Sequence, residues 1–234
     1  MTLKDRVLYK DGEWNTLCLP FDVSTTTGPL SGDGVEVQIL NTESSNLSGT
    51  VLTLNFDKET TGTIAAGTPF IIKWTKPEGY DDNPKAFDII DPEFKDVTIT
   101  SETPTAQSFA GGRFVGQYSS FKVGDKTNGD DGNLNEIIVL GGNSTIGYYK
   151  DANILRTFRA HFEIPAESGE KSIKRGIVNF ADGTTTDVIL IQSNDTKSGW
   201  QESDEWYTID GILLPCKPTE KGMYINNGVT IKIF

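Results

Sequence analysis

Lys221-Gly222-Met223-Tyr224-Ile225-Asn226-Asn227-Gly228-Val229-Thr230-Ile231-Lys232-Ile233-Phe234 reads as a β-hairpin. Two short alternating apolar runs, Met223 to Asn226 and Val229 to Phe234, flank Asn227-Gly228. Both central residues of a tight hairpin turn need positive φ, and Asn-Gly between β-formers meets that need best. Strict alternation gives the hairpin one apolar face, and an isolated two-stranded hairpin is marginal in water. Residues 205–234 are therefore expected to be ordered, with the turn exposed and the strands docked by strand addition or face packing.

The same period of two recurs upstream, in short runs broken by Gly, Pro, Asn and Asp. Early candidate strands are Arg6 to Tyr9, Trp14 to Leu19, Val35 to Asn41, Thr50 to Phe56, Pro69 to Trp74 and Val97 to Thr100. Later ones are Phe109 to Tyr118, Asn135 to Leu140, Ile146 to Tyr149, Thr157 to Ile164, Arg175 to Phe180 and Thr186 to Ile191. Asp11-Gly12 and Asp182-Gly183 read as tight hairpin turns. Thr42 to Thr50 and Lys122 to Gly132 read as exposed loops, and Ile64 to Pro69 as a short helix or turn. No stretch shows helical spacing, so the expected fold is all-β. An antiparallel β-sandwich, jelly-roll-like or Ig-like, with a C-terminal β-hairpin tail fits the turn spacing. The expected layout is a sandwich over 1–192, a polar linker over 193–204 and the tail over 205–234.

A chain of 234 residues is long enough for one large β domain. Its net charge of −12 repels phosphate backbones and anionic lipid, which disfavours nucleic acid as a partner. No apolar run reaches the ~18 residues of a transmembrane segment. Met1-Thr2-Leu3-Lys4-Asp5-Arg6 has no signal-peptide apolar core. The single histidine excludes Cys/His zinc spacing. Cys18 and Cys216 are read as separate thiols, with a disulfide between them as the alternative.

Several blocks carry a family resemblance: Trp14-Asn15-Thr16-Leu17-Cys18-Leu19-Pro20-Phe21, Ala66 to Trp74, Phe114 to Tyr118, Leu140 to Asn143, Phe158 to Phe162 and Asn179 to Thr185. In this order they resemble extracellular C-terminal modules of secreted and surface proteins of Bacteroidetes such as Prevotella and Bacteroides. Trp206 to Gly211 and Lys217 to Gly228 resemble the type IX secretion-like tails of that group. Two departures stand out: Ile212 follows Gly211 where those tails carry Arg, and the chain runs on to Ile233-Phe234 where they end on Lys. The resemblance implies an extracellular or outer-membrane-surface location and a larger multidomain parent. It implies no particular chemistry.

Candidate chemistry is sparse. His161 lies in a strand pattern, and the resembling modules carry an aromatic there, which implies packing rather than catalysis. There is no Gly-x-Ser-x-Gly elbow, P-loop or dinucleotide fingerprint, so no nucleotide or redox cofactor is inferred. The acidic run from Asp125 to Glu136 offers Asp125, Asp130, Asp131 and Asn133 as calcium ligands. Glu136 and Gly142 stand where an EF-hand loop needs Gly and Glu, so a solvated loop is the competing reading. Extracellular sandwiches bind glycans by stacking sugar rings on Trp and Tyr. Trp74, Tyr80 and Tyr148 are the candidates here; Tyr148 and Tyr149 are adjacent on a strand, so one of them faces out.

These features favour a non-catalytic extracellular accessory module that binds polysaccharide or glycan, with no obligate cofactor and calcium as the one candidate ion. One alternative is a structural spacer with a sorting or anchoring tail. A polysaccharide-active hydrolase or lyase is the other, because 33 acidic residues will place some carboxylates in pairs.

Overall fold

The computed structural model describes residues 1–149, 151–165, 173–190, 205–209, 212–214, 216–226 and 229–233. The fold is all-β, with only single-turn 3₁₀ segments besides the strands among the described residues. An eleven-stranded sheet runs through the molecule in the order Asn15–Leu17, Phe70–Trp74, Val35–Leu40, Val51–Lys58, Arg175–Asn179, Thr185–Ile189, Val229–Ile233, Gly222–Asn226, Trp206–Thr208 and Leu213–Leu214, with Asn46–Ser48 also paired to Val51–Lys58. A five-stranded sheet covers one face: Gln107–Phe109, Gly112–Gly116, Ala160–Glu163, Ile137–Leu140 and Ile146–Tyr148. A small sheet of Gly132–Asn133, Phe121–Gly124 and Asn153–Leu155 flanks it.

The two large sheets share a core. Leu52, Leu54 and Phe56 of the long sheet, at alternate positions, meet Phe114, Ile138 and Phe162 of the other. A line of rings crosses it. Trp14 stacks on Phe180 (5.2 Å), Phe180 on Phe56 (6.2 Å), Phe56 meets Phe114 edge-on (6.2 Å), and Phe114 stacks on Phe162 (4.5 Å).

The other face of the long sheet is covered too. Phe70, Ile72 and Trp74 turn away from the main core into a second cluster with Leu3, Leu8, Phe21 and Phe94. Burial on both faces explains why Phe70-Ile71-Ile72-Lys73-Trp74 is nearly continuous in apolar residues instead of alternating. Lys73, the polar exception, pairs with Asp182 at 2.5 Å and lies 4.8 Å over the Trp14 ring.

Most ladders are antiparallel, but Arg175–Asn179 runs parallel to Val51–Lys58. A parallel pair needs a long crossover, and here the five-stranded sheet lies within that connection. Asn179 Nδ2 donates to Asn55 Oδ1 at 2.8 Å across the pair.

Local readings differ from the observed chain in a few places. Asp11-Gly12 is a bend between strands of different sheets, not a hairpin: Val7–Leu8 pairs with Ile89–Ile90, while Asn15–Leu17 pairs with Phe70–Trp74. Phe109 to Tyr118 contains a hairpin, because Gly111 at φ +91° reverses the chain between Gln107–Phe109 and Gly112–Gly116. Val97 to Thr100 forms no strand, and Asn46–Ser48 and Phe121–Gly124 are strands inside expected loops. Asp182-Gly183 does turn a hairpin, with Gly183 at φ +85° between Arg175–Asn179 and Thr185–Ile189.

The C-terminal strands pair antiparallel, with Asn226 opposite Val229. They extend the long sheet through Ile189 and Ile231. Met223 packs against the main core and Ile231 is 1% exposed. The Asn227-Gly228 turn and the 193–204 linker lie outside the described residues. Cys18 is buried, Cys216 is exposed, and both are free thiols. Among the described residues no helix is long and apolar enough to cross a membrane.

Asp182 makes stability depend on acid. Burial alone would raise its carboxyl, but hydrogen bonds from Lys73 and Thr184 and the Lys73 charge hold it at about 2, against 3.8 ordinarily. A carboxyl depressed in the folded state stabilises the fold above its unfolded value, and that contribution fades as pH falls through the folded value. Asp182→Asn is therefore expected to lower the urea midpoint at pH 7. The gap from wild type should close as pH drops from about 4 to about 2. A gap independent of pH would show that the Lys73–Asp182 pair does not carry the effect.

Candidate binding cleft

The three aromatic rings chosen from the sequence do not reach solvent. Trp74 is 3% exposed, Tyr80 6% and Tyr148 4%. Trp74 fills the second core. Tyr80 donates to Asp88 Oδ1 at 2.9 Å and packs beside Phe87. Tyr148 lies in the main core, and its hydroxyl accepts from the Ile173 amide at 3.3 Å. A ring without an open face offers nothing for a sugar to stack on.

The candidate calcium oxygens are engaged within their own loop. Asp125 Oδ1 accepts from the Thr127 amide (2.8 Å), Asp130 Oδ2 from the Asp125 amide (2.9 Å), Asp131 Oδ2 from the Lys122 amide (2.7 Å) and Asn133 Oδ1 from the Asn135 amide (2.9 Å). Asp125 and Asn133 close Asx-type turns, while Asp130 and Asp131 reach back across the loop to amides of Asp125 and Lys122. Among the described residues no group of three His, Cys, Asp or Glu could hold a metal.

A cleft of about 230 Å³ opens instead where the two flanking sheets meet. Its lining includes Thr16, Leu140, Tyr149, Ile154, Arg156 and Arg159, with no carboxylate and no histidine among the described residues. Tyr149 is half-buried on the small satellite core of Val123, Ile137 and Leu155. Ile154 is 54% exposed, so its side chain forms an apolar rim. The strand ends at Tyr148, which is buried, and Tyr149 just beyond it is half-buried at the cleft.

The corner from Leu155 to Ala160 places both arginines, and it is clamped at several points. Gln117 Nε2 donates to the carbonyls of Leu155 and Arg156 at 3.1 and 3.0 Å. The Gln117 amide donates to Arg159 O at 2.9 Å. Thr16 Oγ1 accepts from the Ala160 amide at 3.2 Å. Between the arginines, Phe158 sits at φ +56°, a region bulky side chains rarely adopt and which costs about 1–3 kcal/mol. Strain of this kind persists where the surroundings enforce it, and such places cluster at functional sites.

His161 supports the corner from behind. It is 1% exposed, with Nδ1 3.1 Å from Gln117 Oε1 and Nε2 3.3 Å from Glu163 Oε1. Gln117 spends its amide hydrogens on carbonyls, so its oxygen faces the ring and Nδ1 donates. The hydrogen bond with His161, helped by Arg113, holds the Glu163 carboxyl below the usual range against the effect of burial. His161 is thus a packed positioning residue, out of reach of any substrate.

Charge around the cleft is one-sided. The Arg159 guanidinium is pushed down first by burial; the tyrosines Tyr149 and Tyr9 oppose that, and Arg156 adds to it. Behind it Arg6 is 1% exposed and donates to Thr16 O at 2.9 Å, while its Nε has no partner. Burial and then the Arg159 charge lower Arg6 to about 9, which still leaves it protonated at neutral pH. One sequence signal marks this corner: Ala152 to Phe162 holds Arg156 and Arg159 and no acid, in a chain with 33 Asp and Glu. Comparison with family models, curated proteins and solved structures returns no match.

Proposed function

We propose that this chain is a non-catalytic module of a larger secreted or cell-surface protein, and that it binds glycan at the Tyr149–Arg159 cleft. The observation that carries the reading is the cleft's mixture: a half-buried tyrosine, an apolar rim and two arginines. Small sites that hold polar ligands combine apolar walls with a few placed polar groups in this way. Rings such as Tyr149 give the walls a polar tip as well. The cleft is small for a drug-sized ligand, which suits one sugar unit of a longer chain.

Among the described residues the lining shows no carboxylate pair, the arrangement that glycoside hydrolysis uses. That favours binding over hydrolysis. The extracellular location rests on the sequence blocks that resemble Bacteroidetes surface modules. The spacer reading is favoured by one feature: Ile209, Ile212 and Leu213 are 52%, 63% and 56% exposed at the outer edge of the long sheet, an apolar edge suited to anchoring.

Calorimetry against a panel of neutral and acidic oligosaccharides tests the binding reading. Saturable binding of at least one is expected, with no change to the sugar on prolonged incubation. No binding across the panel would remove the ligand and leave the spacer. Release of shortened or unsaturated products would make the chain an enzyme.

A further inference from the structure

We infer that the cleft selects acidic saccharides, seating a carboxylate or sulfate group of the sugar on the guanidiniums of Arg156 and Arg159. The inference rests on the glycan-binding reading above and specifies its ligand class.

The first argument is the missing counterion. Among the described residues, Lys73, Lys76, Arg113, Lys126 and Arg175 each pair with a carboxylate. None of the ion pairs or side-chain hydrogen bonds among those residues involves Arg156 or the Arg159 guanidinium. The chain has 33 acidic residues against 21 basic ones; exposed lysines such as Lys4, Lys58 and Lys95 also show no ion pair among the described residues, but they are solvated, whereas Arg159 is half-buried. A cleft that gathers two arginines, with a third buried behind them, runs against that excess.

The second argument is cost. Burying a cation without a partner is unfavourable, and like charges nearby add to it. The Arg159 charge nevertheless acts on Arg6, and the Arg156 charge on Arg159. A bound anion relieves all of these terms together. The guanidinium fork also matches a planar carboxylate or a sulfate edge with paired N–H donors.

The third argument is shape. Phe158 and the Gln117 clamp hold the backbone that carries both arginines before any ligand arrives. Tyr149 and Ile154 supply apolar surface beside them for the face of a sugar ring. The footprint is one anionic group in about 230 Å³, not a basic track. A nucleic acid needs such a track along its backbone, and the net charge of −12 opposes one.

The test is calorimetry with trigalacturonic acid, its methyl ester, a sulfated disaccharide with its unsulfated counterpart, and neutral trisaccharides. Trigalacturonic acid or the sulfated disaccharide should bind, and the matched uncharged sugar about tenfold or more weaker. The two acidic arms separate carboxylate from sulfate. Affinity for the acid should fall with rising ionic strength. Arg159→Gln and Arg156→Gln should each weaken the acidic ligand about tenfold. Arg156 is exposed, so its variant keeps the fold and serves as the control for Arg159. Equal affinity for charged and uncharged forms would overturn the inference while leaving glycan binding standing. Acid binding untouched by both arginine variants would overturn it too, because the site would lie elsewhere. Silence from every sugar would remove the glycan reading and this inference with it.

Discussion

Phe114→Ala is expected to destabilise the fold by about 3–5 kcal/mol. Phe114 is fully buried and joins the two sheets. On its own sheet it stacks on Phe162 at 4.5 Å with the planes 17° apart. Across the core it meets Phe56 edge-on at 6.2 Å and 88°. Truncation removes both contacts and leaves a cavity that rigid strands on both sides cannot close. Each aromatic pair adds about 0.5–1.5 kcal/mol beyond burial. Against a typical stability of about 5–15 kcal/mol this is a large fraction. For a chain of this size the melting point should fall on the order of 10 °C. Phe114→Leu refills most of the space and should lose less than half as much. Ile154→Ala, at an exposed rim, should stay within about 0.5 kcal/mol. Urea midpoints at unchanged slope measure all three. An Ala variant as stable as the Leu variant would mean that the ring line does not hold the sheets together.

The ring line also shows what a sequence can reveal. Phe114 and Phe162 lie in runs expected to be strands, and in the fold they stand opposite each other across one ladder. Parity governs the tail, where an Asn-Gly pair between alternating runs specifies a hairpin without tertiary help. The doubly buried strand at Phe70–Trp74 was visible as a nearly unbroken apolar run. Partner choice was not visible. Arg175–Asn179 lies beside Val51–Lys58 only because the five-stranded sheet folds between them, and no local pattern encodes a parallel contact across that distance.

The site was less legible than the fold, for physical reasons. Aromatic residues are ambiguous from sequence, since a large ring serves a core as well as a ligand. Trp74, Tyr80 and Tyr148 went to cores, and Tyr149, one position along, went to the cleft. Acidic residues are ambiguous too, because Asp in a tight loop bonds its own backbone before it binds an ion. What marks Arg156 and Arg159 is that neither shows an ion pair among the described residues. An absent counterion depends on which distant strands come near, so it emerges only once the chain is folded. The acid-free run around them was its one trace in the sequence.

Gly116→Ala tests whether the cleft is held from below. Gly116 has no unusual φ, so the glycine is needed for space alone. A Cβ there would stand 2.5 Å from Cys18 Cβ, with Cys18 Sγ nearer still. Something must move, and both residues are set in strands or tight backbone contacts. Overpacking of this kind costs about 1–3 kcal/mol. The displaced segment leads straight into Gln117, whose side chain bonds the carbonyls of Leu155 and Arg156. Gly116→Ala should therefore lower both the unfolding midpoint and the affinity of the arginine cleft. Cys18 reports the opening. Burial pushes its thiol up to about 12, so it should resist a thiol reagent in the native wild type while exposed Cys216 reacts. In Gly116→Ala its reactivity should rise. Cys18→Ala keeps the Cβ and should not rescue the variant; Cys18→Gly removes both clashing atoms and should. In a double-mutant cycle, Gly116→Ala with Cys18→Gly should be less destabilised than the sum of the singles, by more than the ~0.3–0.5 kcal/mol scatter of independent sites. Strict additivity would show that the two residues do not touch, and that the arginine corner is positioned without them.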